Sequence, residues 1–163
     1  MGEGSISAVV LTVSDAGSRG ERVDTAGPAV ASLLAEAGFE VVQQALLADE
    51  PEQISAQLRR WADEDGVALA VTAGGTGLAP RDCTPEATAA TLDYRVDGIM
   101  EAMRAAGLTS TPMAMLSRGL AGVRGGTLIL NLPGSERGAR ESLAAVLPVL
   151  RHAVEQLRGE GGH

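Results

Sequence analysis

The residues whose types and spacing could do chemistry gather in residues 72–88, TAGGTGLAPRDCTPEAT. Beginning at Thr72, the chain breaks into Gly74, Gly75, Thr76 and Gly77. Glycines so spaced let backbone N–H groups turn toward a ligand, an anion-binding nest that needs no Lys. Thr84-Pro85-Glu86 reads as a helix start capped by Thr84, which adds free N–H groups and the positive end of a helix dipole. Arg81 supplies a planar fork matched to phosphate or carboxylate. Asp82 beside it cannot attract an anion by itself. A carboxylate there makes sense if a divalent cation such as Mg2+ bridges it to phosphates. Alternatively, GGTG is only a tight loop, Arg81 and Asp82 pair with each other, and Thr84 is a plain cap.

Three other segments could join this stretch: Ser14-Asp15, Asp49, and Asn131 with Pro133-Gly134-Ser135. Asp49 is either a second acid of the site or the cap of a helix that Pro51 begins. Cys83 has no His near it in sequence and reads as a small buried filler. Met100, Met103, Met113, Met115 and Trp61 are expected in the core.

To bring these segments together the chain must end several strands at one edge of a sheet. Residues 8–13 (AVVLTV) read as a buried strand, followed by a polar, Gly-bearing loop over 16–24. Asp24 or Thr25 caps a helix with Pro28 in its first turn. Val30, Leu33, Leu34 and Ala37 share its buried face, and Gly38 ends it. Residues 39–47 form a second strand, interrupted by Gln43 and Gln44. Ile54, Leu58, Trp61 and Ala62 mark the apolar face of the helix after Pro51, and residues 67–72 (VALAVT) the third strand.

Farther along, Ile99, Met100 and Met103 suggest a helix ending at Gly107. Residues 113–117 read as a short strand, 119–126 as a glycine-rich turn, and 127–132 (TLILNL) as a strand stopped by Pro133-Gly134. Leu143, Val146, Leu147, Leu150, Val154 and Leu157 share one helical face, which Pro148 should kink or restart. Strands and helices alternate and the strands are continuously apolar. The fold class is therefore α/β, a mostly parallel sheet covered by helices on both faces. No internal repeat is visible, so residues 1–163 read as one domain with an ordered core over about 6–158. Ligands of such sheets sit beyond the C-terminal strand ends, where all four polar segments fall.

Composition narrows the chemistry. Of 163 residues, 45% are hydrophobic and 21% charged, as in an ordinary globular chain. Phe39, Trp61 and Tyr94 are the only aromatics, and the net charge is -8. Both argue against nucleic acid or an anionic membrane as a partner. All 13 basic residues are Arg. Without Lys there is no Walker-A loop, no Schiff base and no lysyl adenylate. His152 and His163 are the only histidines, too few for a His-rich zinc site. His152 falls in an expected helix far from any Gly-rich elbow, which leaves no Ser-His-Asp triad. The single Cys83 points to a reducing compartment. Residues 1–18 hold no Arg or Lys, and Met1-Gly2 is followed by Ile6 where a myristoylation signal needs Ser or Thr. No apolar run approaches a membrane span, so a cytoplasmic location is expected.

Three segments, TAGGTGLAPRDCTPEAT, MAMLSRGLAGVRGGTLILNLPGS (residues 113–135) and LTVSD (residues 11–15), together resemble the molybdopterin adenylyltransferase family. That family includes bacterial Mog and MoaB proteins and the G domain of animal gephyrin. The resemblance runs over about residues 9–157. It implies a three-layer α/β/α domain that joins the terminal phosphate of molybdopterin to AMP from ATP, with loss of pyrophosphate. It also implies a homotrimer, or a hexamer of stacked trimers, and hand-off of the product to a molybdenum-insertion protein. Carried over by motif, Asp49 and Asp82 are the essential acids, which on the reading of the residues can hold Mg2+ between them, and Gly74, Gly75, Thr76 and Gly77 form the glycine loop. Ser117 is the functional serine, and Pro133, Gly134 and Ser135 form the nucleotide-side loop. Ser14, Asp15, Thr72, Arg81 and Thr84 are expected beside them as binding groups. Two other classes share such a fold: a molybdopterin-binding scaffold that does not adenylylate, and another pterin or nucleotide enzyme.

Overall fold

A computed structural model describes residues 4–160; Met1, Gly2 and His163, on which the myristoylation and histidine readings partly rest, lie outside the described residues. Ala, Val and Leu runs form a sheet that is six-stranded among the described residues, in the order β2-β1-β3-β6-β5-β4. The strands are β1 (Ile6–Val13), β2 (Phe39–Leu47), β3 (Leu69–Ala73), β4 (Tyr94–Arg95), β5 (Ala121–Arg124) and β6 (Thr127–Leu132). The first three and β6 are parallel, and β5 and β4 extend the sheet antiparallel.

Alternation along each strand sends side chains to two cores. Ala8, Val10, Leu69, Val71, Leu128 and Leu130 meet α2 (Ala26–Glu36), α5 (Asp97–Leu108) and α6 (Glu136–Leu157). Val9, Leu11, Val13, Ala70 and Ile129 meet α3 (Pro51–Asp63) and the short α4 (Thr84–Ala89) through Ile54, Leu58, Trp61 and Ala87. Helices thus cover both faces, as a βαβ chain requires.

At the edge, β2 carries a bulge. Ala8 faces Val41 but Val9 faces Gln43, so Val42 is unpaired. The shift also serves Gln43, whose side-chain oxygen accepts from the indole N–H of the buried Trp61 at 2.8 Å. A polar residue interrupts the strand because α3 brings a buried donor to it.

Four expectations fail. Residues 16–24 begin as a helical turn, α1 (Asp15–Ser18), because the Ser14 hydroxyl accepts from the Gly17 N–H at 3.0 Å. Residues 113–117 are no strand: Pro112–Leu116 is a 3-10 helix, started by Pro112 and by the Thr111 hydroxyl capping the Met113 N–H. Met113 and Met115 stand 64% exposed on it rather than in the core, whereas Met100 and Met103 are buried. Residues 119–126 contain β5, and only Gly125-Gly126 turns. Gly122 permits this pairing, since a Cβ there would lie 2.6 Å from the Tyr94 carbonyl oxygen. Of the two outcomes open at Pro148, the restart does not occur: α6 is one continuous helix through it. Its buried face, Leu143, Val146, Leu150 and Val154, holds the helix against the sheet despite the missing N–H.

Leu58 is fully buried beside Trp61. Leu58→Ala should cost about 2–5 kcal/mol of stability. Urea unfolding followed by Trp61 fluorescence checks this, and an unchanged midpoint would contradict the packing described.

Candidate active site at the strand ends

Register brings the four polar segments to one level. Val13 faces Leu47, Thr12 faces Ala73, and Ala73 faces Leu132. Connections leave β1 toward β2 on one side and arrive at β3 on the other. The loops after β1 and β3 therefore part there and open a crevice.

The glycine loop packs without room for side chains. Gly74, at φ 109°, donates its N–H to the Leu132 carbonyl at 3.0 Å, and a Cβ on it would sit 2.2 Å from the Val13 carbonyl oxygen. Gly75, at φ 68°, would place a Cβ 2.3 Å from Thr84 Oγ1 and 2.9 Å from Asp49 Oδ1. Those two oxygens are buried and have no hydrogen-bond partner. The helix-cap reading of Thr84 is thereby corrected. Cys83 holds the cap position of α4, and Thr84 follows it, its N–H on the Gly75 carbonyl at 3.1 Å and its hydroxyl unpartnered beside Gly75.

Asp49 is not the cap of α3 either; Glu50 occupies that position. Asp49 and Asp15 instead grip each other reciprocally. The Asp15 N–H donates to Asp49 Oδ2 at 3.1 Å, and the Asp49 N–H donates to Asp15 Oδ1 at 3.0 Å. Burial pushes the Asp49 carboxyl above the usual range, with the Asp15 and Asp82 carboxylates adding to it. Asp15 moves the other way, from 3.8 to about 2, because the Arg81 fork binds both its oxygens at 3.0 Å.

Arg81 also bonds Glu50 at 2.9 Å. It pairs with neither Asp82 nor an open anion site: its fork is occupied by two carboxylates. Cys83 is half-buried, and burial raises its thiol to about 11, which suits a packing role over a nucleophilic one. Thr72 is fully buried behind the crevice. Its hydroxyl accepts from Asn131 Nδ2, which also reaches the Thr88 hydroxyl, both at 3.0 Å. Asn131 Oδ1 takes the Leu120 N–H, so this amide joins β6, β3 and α4 with every bond made.

Two adjoining hollows open above these groups. One, of about 410 Å³, is walled by Met100, Met103, Met113 and Leu116, with Ser117 and Thr76 at its polar end. The other, of about 510 Å³, is lined by Ser14, Asp15, Arg22, Asp24, Asp49 and Glu136. They share Gly75, Asp82, Gly134 and Ser135. Ser135 caps α6 by accepting the Gly138 N–H at 3.1 Å, so the first turn of that long helix faces the shared rim.

Sequence reasoning missed two supports. Arg118 donates to the Gly77 and Asp82 carbonyls, and Arg104 holds the Ser117 and Gly119 carbonyls at 3.0 and 2.9 Å. Arg104 was detectable, since it follows Met100 and Met103 at the edge of an apolar helical stripe. The expected cap at Asp24 is present: its carboxylate accepts from the Gly27 N–H at 2.9 Å, and it also takes the Thr12 hydroxyl at 2.7 Å on the lining of the acidic hollow.

Fold and crevice define a mostly parallel α/β protein with a two-part hollow at the carboxyl ends of its strands, the place where ligands of such sheets sit. Residues 9–152 match the family model described as "Probable molybdopterin binding domain". The chain is 40% identical over 152 residues to the molybdopterin adenylyltransferase of Helicobacter pylori strain J99, covering 92% of this chain and 86% of that protein. It is likewise 40% identical over 152 residues to the molybdenum cofactor synthesis protein cinnamon of Drosophila melanogaster. That match covers 92% of this chain but only 25% of the fly protein's length. The crystal structure of the molybdopterin biosynthesis enzyme MoaB of Thermus thermophilus superposes with a TM-score of 0.90 at 59% identity, covering 94% of this chain and 97% of that one. This chain belongs to the Mog/MoaB-like family of molybdenum cofactor biosynthesis proteins.

Asp49→Asn generates a signed pH test. An acid whose folded pKa is raised contributes stability that is complete below its ordinary pKa and is lost as pH rises through the raised value. Asn cannot ionise, and it can still accept from the Asp15 N–H while turning an amide toward Thr84. The variant should melt at or above the wild-type temperature at pH 8, with the gain fading toward pH 4. Equal destabilisation at both pH values would contradict it. Asp15 has the opposite sign: its pairing stabilises above the ordinary carboxylate pKa and is lost as pH falls through about 2.

Proposed function

We propose that this chain is a molybdopterin adenylyltransferase. The observation that carries the reading is the pair of hollows meeting at Gly75, Asp82, Gly134 and Ser135. Adenylylation must bring two phosphorylated, flat-ringed molecules together at their phosphates, and two hollows with one shared rim suit that. An oxygen of the molybdopterin phosphate attacks the α-phosphorus of ATP. The bond to the β-phosphate breaks and pyrophosphate leaves. The attacking monoester is already ionised at neutral pH, so no general base is required, and a site without Lys or His is no obstacle. What the reaction needs is alignment and offset charge. The α6 first turn and the amides of Gly75, Thr76 and Gly77 would supply the fixed dipoles, the Gly74 N–H being committed to the Leu132 carbonyl.

Mg2+ fits the groups present. Asp49 Oδ1 is a buried carboxylate oxygen without a hydrogen-bond partner, and the acidic hollow carries hard oxygen donors. Among the described residues no group of three or more His, Cys, Asp or Glu could hold a metal unaided. Mg2+ is commonly held by one or two carboxylates, water and the substrate's phosphates. Asp49 and Asp82 would hold it, and it would offset phosphate charge beside these acids. Arg81 then serves by fixing Asp15 against Asp49, and Thr72 and Thr84 by supporting the loop from within.

We also infer a cytoplasmic homotrimer that passes its product to an insertion protein, as the family suggests. No helix among the described residues is long and apolar enough to cross a membrane.

Asp82→Asn should lower pyrophosphate release from ATP and molybdopterin by about two orders of magnitude or more. Molybdopterin binding measured without ATP or metal should survive. Wild-type turnover at limiting Mg2+ would remove Asp82 from the chemistry. Light scattering should give three or six times the chain mass, and a monomer at micromolar concentration would exclude the trimer.

A further inference from the structure

Arg118 lines neither hollow, yet it holds the loop on which their shared rim depends. Its backbone N–H donates to the Thr76 carbonyl at 2.8 Å. Its guanidinium donates to the Gly77 carbonyl at 2.8 Å and the Asp82 carbonyl at 3.2 Å, and pairs with Glu86 on α4. Three carbonyls spaced along one loop and a carboxylate beyond it are thus gathered by a single residue. Its neighbour Ser117 lies on the wall of the apolar hollow, and Arg104 of α5 anchors the Ser117 and Gly119 carbonyls on either side of Arg118. The result is one unbroken chain of bonds from α5, through the Met-lined wall, to Asp82.

Resting on the adenylyltransferase reading, we propose that Arg118 is a positioning residue: it fixes the 75–82 loop and thereby couples the wall of the apolar hollow to the placement of Asp82. The guanidinium suits this role because its donors form a fixed planar fork, so one side chain can hold several carbonyls at once. A Lys ammonium is a point donor on a flexible stem and cannot reproduce that plane. The ion pair with Glu86 is the outer member of the set, half-exposed, and it orients the fork without reaching the loop backbone.

The sole cysteine gives a readout independent of catalysis. Cys83 directly follows the clamped Asp82 carbonyl and is half-buried. Releasing the loop should expose its thiol. Intact-mass measurement of iodoacetamide labelling should therefore show Cys83 reacting about 10-fold faster in Arg118→Gln and at an intermediate rate in Arg118→Lys, with Glu86→Gln close to wild type. In steady-state assays, Arg118→Gln should lose about 10- to 100-fold in kcat, while KM for molybdopterin changes less than about 3-fold. Urea unfolding followed by Trp61 identifies any variant that has merely lost its fold. Were Arg118→Gln to fail that check, Arg118→Lys would carry the labelling and kinetic comparison.

Unchanged labelling and kcat in a folded Arg118 variant would overturn the clamp. An equal rise in labelling for Glu86→Gln would overturn the carbonyl clamp in favour of the ion pair. Absence of turnover in the wild type would defeat the adenylyltransferase reading, while the labelling series would still decide whether Arg118 holds the loop.

Discussion

The close approach of the glycine loop to its neighbours is the constraint on which the rest of the site depends. Gly74 lies so near the Val13 carbonyl that no side chain fits between β1 and the turn after β3. Gly75 lies equally close to the buried oxygens of Asp49 and Thr84. Both glycines adopt positive φ, which lets the chain leave β3 at once and cross the end of β1. Because of that crossing, the loop spans the division between the acidic and apolar hollows instead of belonging to one. A Cβ at either position would push the loop away from β1 or from α4 and separate the acids from the helix end that faces them.

Charge is arranged around this contact in layers. Asp15, held ionised by Arg81, is the outer acid, and Asp49, desolvated beneath it, is the inner one. Reciprocal backbone bonds lock the two together, so the inner carboxylate keeps one oxygen committed and one without a partner. An unpaired buried carboxylate oxygen is costly, and such costs persist where a function uses them. The net negative charge of the chain would be no obstacle to the proposed anionic substrates, because local donors, with a cation where one binds, would decide the field inside the crevice.

Much of the framework was legible in the sequence. The runs 39–47 and 127–132 are strands at those bounds, and Trp61, Leu34, Leu143 and Leu150 are buried as their spacing requires. Convergence of Ser14, Asp49, Gly75 and Pro133 followed from parallel strands ending together. What stayed hidden depended on tertiary partners. Ala121–Arg124 within the 119–126 stretch pair with β6, and Gly122 admits β4 on their other side; Met113 is exposed because Pro112 and Thr111 start a 3-10 turn. Arg81 looked like a phosphate ligand because its partners Asp15 and Glu50 are remote in sequence. Arg118 was invisible for the same reason: backbone carbonyls leave no trace in side-chain identity.

The proposed reaction requires two phosphorylated molecules to meet where the hollows join. The most direct measurement follows the label from ATP labelled at the α-phosphate, and separately at the γ-phosphate, during incubation with molybdopterin and Mg2+. α-Label should move to the pterin while γ-label leaves as pyrophosphate. Binding of both molecules with neither label transferred, or transfer of the γ-label to the pterin, would contradict it.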